Sequence, residues 1–141
     1  MKSNILFLLT PKSRIAYVMD DFTIRQVLEK MDYHHFTAIP VLNREGRYVG
    51  TLTEGDLLWY IRDRHDLSVE AAEKEGLKSV KLRRTYNPVT VDVAPEELFE
   101  VAINQNFVPV LDDNGFFIGI VTRKTLLTHL MKLAGVQGDK K

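Results

Sequence analysis

The sequence predicts an α+β fold, sandwich-like in its layering, made of two tandem copies of one strand-helix-strand-strand-helix unit. Three observations carry this prediction. Displacing the chain by 69 positions lays Pro40–Leu58 over Pro109–Leu127 with eight of nineteen positions identical, where average composition gives roughly one by chance. Within each copy, two strand-like runs flank a turn that ends in glycine: Phe36–Leu42 and Arg47–Leu52 around Asn43-Arg44-Glu45-Gly46, then Phe107–Leu111 and Phe116–Val121 around Asp112-Asp113-Asn114-Gly115. Stretches of helical period stand before and after each hairpin.

Taken in order, the apolar run Ile5-Leu6-Phe7-Leu8-Leu9 comes first. It falls short of the roughly twenty residues of a membrane span and the at least about seven of a signal peptide's apolar stretch. It is expected to be a short element packed on the domain of a cytoplasmic protein. A short strand is expected near Ile15–Met19. Thr23 and Gln26 then form a capping box, and Ile24, Val27, Leu28 and Met31 line one helix face. Each hairpin glycine supplies the positive φ that closes its turn. A second amphipathic helix contains Leu57–Ile61, and Ser68–Glu75 reads as a short capped linker helix. Copy two begins with a strand near Val89–Asp92. Its first helix runs from Pro95 to about Asn104, with proline in the first turn and Glu96 and Glu97 favouring the dipole. The stretch from this helix to the next strand is several residues shorter than in copy one, which leaves the helix register open. In the last helix Leu126, Leu127, Leu130 and Met131 share a face. The expected boundaries are residues 1–66 for repeat one with its lead-in, 67–84 for a linker, 85–134 for repeat two and 135–141 for a loose tail.

Composition narrows the function classes. The 141 residues contain no cysteine, so disulfides and cysteine-ligated zinc are excluded, as suits a reducing compartment. Nineteen basic residues balance nineteen acidic ones, whereas a nucleic-acid binder carries a basic surplus. No nucleophile–base pair, glycine-rich phosphate loop or metal cluster stands at motif spacing, which argues against an enzyme. His34-His35 lacks a third ligand at metal spacing and reads as structural.

The runs Ala38-Ile39-Pro40-Val41-Leu42, Gly46 and Gly50-Thr51-Leu52-Thr53-Glu54-Gly55-Asp56 resemble a CBS motif. Val108-Pro109-Val110-Leu111, Gly115 and Gly119-Ile120-Val121-Thr122-Arg123 resemble a second. The resemblance covers nearly the whole chain. It implies a pseudo-twofold pair of repeats (a Bateman module) with two clefts, commonly dimerised into a disc. It also implies a regulatory ligand containing adenosine, such as AMP, ATP, S-adenosylmethionine or cyclic di-AMP, with no obligatory cofactor. Arg14-Ile15-Ala16, Phe36-Thr37-Ala38-Ile39-Pro40 and Phe107 with Thr122-Arg123-Lys124 are similar to small CBS-pair proteins of Gram-positive bacteria, some of which are cyclic di-AMP receptors. That similarity favours cyclic di-AMP over AMP, ADP or ATP.

Several residues gain a role from this resemblance, each beside a plainer one. Thr53 would bond a phosphate or ribose and Asp56 both ribose hydroxyls, or the pair simply caps a helix. Copy two has Thr125 where that aspartate belongs. Arg123 and Lys124 follow Thr122 in a helix's first turn, where cations oppose the dipole by about 0.3–1 kcal/mol each. A phosphate at the helix N-terminus would compensate them; solvent or a neighbouring acid would as well. Pro40 and Pro109 belong at a sheet edge because proline has no N–H. The backbone at Ala38 and Ile39 could then read an adenine edge walled by Ala16 and Tyr17, with Thr37 beside it. Arg14 reaches either a second phosphate or solvent. Lys78, Lys81, Arg83 and Arg84 form an acid-free stretch that reads first as a solvated linker face and otherwise as the border of the second cleft. Trp59 and Tyr60 read as core or dimer contacts. The functional expectation is a nucleotide sensor, cytoplasmic and homodimeric, that signals to a protein partner and binds neither nucleic acid nor membrane. The competing expectation is a structural dimerisation module with empty clefts, which Thr125 favours.

Overall fold

Both expected hairpins form, and the glycines ending their turns carry φ values of 85° at Gly46 and 87° at Gly115, the left-handed region that the turns require. The computed structural model describes residues 5–34, 37–64 and 68–135. In chain order its elements are β1 (Thr10–Pro11), β2 (Val18–Met19), α1 (Ile24–His34), β3 (Ala38–Leu42), β4 (Tyr48–Thr53), α2 (Glu54–Arg64), α3 (Val69–Lys74), β5 (Val89–Thr90), α4 (Pro95–Ile103), β6 (Phe107–Leu111), β7 (Phe117–Thr122) and α5 (Arg123–Leu133). Single 3-10 turns stand at Ile5–Leu8, Lys12–Arg14 and Leu77–Ser79. The chain groups into two units, one of residues 16–86 with 115–117, the other of residues 5–15, 87–114 and 118–135.

The first unit contains copy one and the linker. Its sheet has the order β2-β3-β4, with β2 parallel and β4 antiparallel to β3. The register Val41↔Gly50 followed by Leu42↔Tyr48 leaves Val49 as the extra residue of a bulge. Proline is tolerated in the central strand for a local reason. The β2 ladder touches only Val41 and Leu42, so at Pro40 the strand has β4 alone as a neighbour and no ladder bond is lost. The expected capping box at α1 forms in both directions, Thr23 N–H to Gln26 Oε1 at 2.8 Å and Gln26 N–H to Thr23 Oγ1 at 3.2 Å. Ser68 likewise caps α3 by accepting from the Ala71 N–H at 3.0 Å. After α3 the chain returns to α1, where the Glu75 carbonyl accepts the Ile24 N–H at 2.8 Å, an end donor that no intrahelical bond serves. Val18, Ile24, Val27, Ile39, Val41, Leu52 and Leu57 centre the core, with Ala72, Leu77 and Val80 of the linker closing it. Each fully buried aliphatic side chain contributes roughly 1.5–3 kcal/mol.

The second unit contains copy two and, unexpectedly, the start of the chain. Its sheet runs β1-β7-β6-β5. β1 pairs antiparallel with β7 in the register Thr10↔Ile120 and Pro11↔Gly119. Gly119 makes this pairing possible, since a Cβ there would meet the Thr10 carbonyl oxygen at 2.3 Å. Ile5 and Leu8 enter a core with Val89, Leu98, Val108, Val110, Val121 and Leu126. The opening apolar run is therefore a packed element, as its length predicted. Gln105 is buried and satisfied, accepting from the Asn87 N–H at 2.6 Å and donating to the Asn87 and Phe107 carbonyls at 3.2 and 3.1 Å. The register left open in copy two is settled by the helix lengths, eleven residues for α1 and nine for α4. Among the described residues no helix is long and apolar enough to cross a membrane, and no group of three acidic or histidine side chains could hold a metal. His35 and Phe36 lie outside the described residues.

Candidate functional site

The first unit gathers most of the expected binding residues at the end of its sheet where β3 begins and β4 ends. Ala38 pairs with Thr53, Ile39 with Leu52 and Pro40 with Thr51. The Thr37 carbonyl accepts the Glu54 N–H at 3.0 Å, which ties the start of β3 to the first turn of α2. Thr37 is exposed, whereas Ala38, Ile39 and Pro40 are buried. Ala16 is buried and Tyr17 half-buried in the segment that leads into β2.

Asp56 is the best-defined side chain of this region. It is 2% exposed. One carboxylate oxygen accepts the Thr53 N–H at 2.9 Å, and Thr53 Oγ1 accepts the Asp56 N–H at 3.2 Å. The other oxygen accepts the backbone N–H of Arg83 at 2.9 Å, so the carboxylate ties α2 to the linker. The capping reading of Thr-x-x-Asp is thus realised, with a long-range bond added to it. Asp56 also lines a cavity of about 390 Å³ together with Tyr60, Asp63, Arg64, Ser79, Lys81 and Arg83.

The charges around this cavity are unequally matched. Glu75 binds both Arg64 and the Tyr60 hydroxyl. Burial, with the Glu75 bond behind it, pushes the Tyr60 hydroxyl above its ordinary value, so it stays a neutral donor. Asp63 pairs with Arg62, whose guanidinium lies 3.8 Å from the Trp59 ring centroid. The Arg83 guanidinium lies 5.2 Å from the same ring. Trp59 is therefore a partly exposed surface for two guanidinium groups, while Tyr60 packs against the core.

Arg14, Thr122, Arg123 and Lys124 belong to the second unit. Thr122 caps α5 by accepting from the Thr125 N–H at 3.1 Å, and its hydroxyl donates to Thr125 Oγ1 at 2.9 Å. Arg123 donates to the Ala102 and Ile103 carbonyls at 3.0 and 2.9 Å. These carbonyls close the C-terminal turn of α4, so a cation that opposes the α5 dipole serves the negative end of another helix. Arg14 and Lys124 are exposed. Replacing Arg123 with alanine is expected to cost about 1–2 kcal/mol in urea denaturation. Lysine should restore only part of this, because it lacks the planar fork. A wild-type urea midpoint for the alanine variant would contradict this capping role.

Sequence reasoning did not single out Tyr60, Asp63, Arg64 or Ser79 as site residues, and it left Lys81 and Arg83 between linker surface and cleft border. The acid-free stretch from Lys78 to Arg84 was the available clue. What it lacked was the bond from Asp56 that folds the stretch onto α2.

The model of the family described as CBS domain matches residues 8–63 and 78–132. The chain is 29% identical over 123 residues to a CBS domain-containing protein of Dictyostelium discoideum, spanning 80% of this chain and 82% of that protein. It superposes on a CBS domain protein from Streptococcus pneumoniae TIGR4 with a TM-score of 0.78 at 28% identity, over 91% of this chain and 86% of the other. A structure of CbpB in complex with c-di-AMP gives a TM-score of 0.82 at 24% identity, over 94% and 87% of the two chains.

Proposed function

The chain belongs to the CBS-domain family, and from that premise we propose that it is a sensor of an adenine nucleotide, with cyclic di-AMP the favoured ligand, that reports occupancy to a partner protein. CBS domains are non-catalytic regulatory modules, so the task is binding rather than turnover. One observation carries the reading. The Asp56 carboxylate faces a cavity of about 390 Å³ and is held in place by two backbone N–H groups. A carboxylate offers about four lone-pair sites, so two remain after those bonds, enough for both ribose hydroxyls of AMP or for the single free 2′-hydroxyl of a cyclic di-AMP ribose. An acceptor fixed in advance loses little freedom on binding.

In this reading Thr53 and Asp56 hold the sugar. Base recognition is assigned to Ala16, Tyr17, Thr37, Ala38, Ile39 and Pro40, which lie at the end of the sheet from which α2 starts and not among the residues lining the cavity. The second unit, taken by itself, offers an anion-binding set of its own in Arg14, Thr122 and Lys124, and Arg123 keeps three of its five N–H donors beyond the two spent on α4. The ligand of the CbpB complex supports cyclic di-AMP as the first candidate.

A thermal-shift panel of cyclic di-AMP, AMP, ATP and S-adenosylmethionine tests this. A true ligand at a hundredfold excess over its Kd adds about 2.7 kcal/mol, a shift of several degrees in Tm. A flat panel would defeat the proposal. The chain is further proposed to act as a homodimer in the cytoplasm. Leu58 on α2 and Leu127 and Leu133 on α5 are each at least 60% exposed, apolar surface that association would cover, and a cysteine-free chain suits that compartment. Light scattering at tens of micromolar should give twice the chain mass; a monomer with and without nucleotide would contradict the dimer.

A further inference from the structure

We propose that Lys81 and Arg83 of the linker recognise the phosphate of the bound nucleotide, and that Asp56 positions them. The inference rests on the nucleotide reading above and assigns to it a subsite outside the sequence runs that carry the CBS resemblance.

Three cations line the cavity, Arg64, Lys81 and Arg83. Arg64 is matched by Glu75. Of the two lining acids, Asp63 pairs with Arg62, and Asp56 uses one lone pair of each oxygen on a backbone donor and pairs with no cation among the described residues. Among the described residues no carboxylate pairs with the Lys81 ammonium or the Arg83 guanidinium. Both side chains are exposed, so they keep their charge at little cost and remain open to an anion.

Position supplies the second part. The backbone at residue 83 is fixed, because its N–H is bonded to a carboxylate that is 2% exposed. A hydrogen bond to a charged acceptor is stronger than one between neutral groups, so the backbone there is firmly placed. Arg83 is further oriented over Trp59. Val80, between Ser79 and Lys81, is anchored in the core. The segment from Ser79 to Arg83 is thus held at both ends, with Lys81 between two fixed points. Asp56 then has two tasks that its geometry allows together: accepting from the sugar on its free lone pairs and holding the cations that meet the phosphate.

The test titrates the full chain calorimetrically with AMP, adenosine and cyclic di-AMP at fixed salt. Lys81→Ala/Arg83→Ala is expected to weaken AMP at least tenfold and to leave adenosine within about twofold. The control Lys78→Ala/Arg84→Ala removes the same charge from the same stretch but from residues that do not line the cavity, and should change AMP by less than threefold. Lys81→Ala alone, at a position with no bond to lose, should show part of the effect with an unchanged Tm. Equal AMP affinity in wild type and the Lys81/Arg83 variant, or equal losses in the two double variants, would overturn the subsite while leaving the nucleotide reading intact. If the wild-type chain binds none of the three compounds, the reading and the subsite fall together. Cyclic di-AMP tells whether a phosphodiester uses the same cations: a parallel loss supports the subsite for both ligands, and an undiminished affinity overturns it for the cyclic one.

Discussion

Asp56→Ala is expected to lower stability by about 3 kcal/mol and to abolish AMP binding. The carboxylate sits in the first turn of α2 with almost no solvent contact, and two backbone N–H groups depend on it, at Thr53 and Arg83. Removing it leaves both donors without a partner, at about 1–3 kcal/mol each where water cannot replace the lost bond. Water entering the adjoining cavity should recover part of this, which sets the expectation in the lower half of the range of about 2–6 kcal/mol for the two donors. Urea denaturation reads the stability loss as a lower midpoint. The conservative Asp56→Asn keeps one acceptor and turns its other end into a donor that faces an N–H group, so it should fall between wild type and alanine. It should weaken AMP, whose vicinal hydroxyls need two acceptors, and spare cyclic di-AMP, whose linkage consumes the 3′-hydroxyl. An alanine variant with a wild-type urea midpoint would show that this carboxylate does not secure the linker.

Replacing Ile5 and Leu8 together with alanine should cost about 4 kcal/mol, although both lie far in sequence from the copy they support. Large-to-alanine changes in a core cost about 2–5 kcal/mol each, and the lower part of that range applies to a short element that can shift to fill the space. The same apolar run contains its own control. Ile5 and Leu8 are 3% and 7% exposed, whereas Leu6 and Phe7 are 49% and 67% exposed. Leu6→Ala/Phe7→Ala should therefore cost less than about 1 kcal/mol, consistent with surface substitutions in general. Equal losses from the two pairs would mean that hydrophobicity of the run, and not the insertion of Ile5 and Leu8 into the core, stabilises the second unit.

What was legible in the sequence was local. The hairpins follow from alternation around a glycine turn, and the capping boxes at Thr23 and Thr53 from residue types three apart. Such signals lie within one turn of chain and survive folding unchanged. The Phe107–Leu111 strand forms with the bounds its pattern predicted. The pairing of β1 with β7 could not be read this way. It joins Thr10 to Ile120 through two residues with no alternation of their own, and only the close approach at Gly119 records it. The grouping of residues 5–15 with copy two was hidden for the same reason. Arg123 teaches a related lesson. Its position in a first turn correctly marked a local conflict, but the compensation came from α4 carbonyls twenty residues back in the chain. The capping pair of Thr53 and Asp56 was legible by type and spacing. The bond from Asp56 to Arg83 crosses 27 residues, and no periodicity reports that distance.

The central claim, that the first copy and its linker build a nucleotide site around Asp56, is tested most directly by amide chemical shifts of the isotope-labelled chain during titration with AMP and with cyclic di-AMP. The backbone N–H groups of Thr53 and Arg83 are bonded to the Asp56 carboxylate, so they report any change in its partners. With at least one of the two nucleotides, both amides should shift saturably along one binding curve, together with those of Ala38, Ile39 and Lys81. Shifts confined to residues 122–135, or no saturable shift with either nucleotide, would contradict the account.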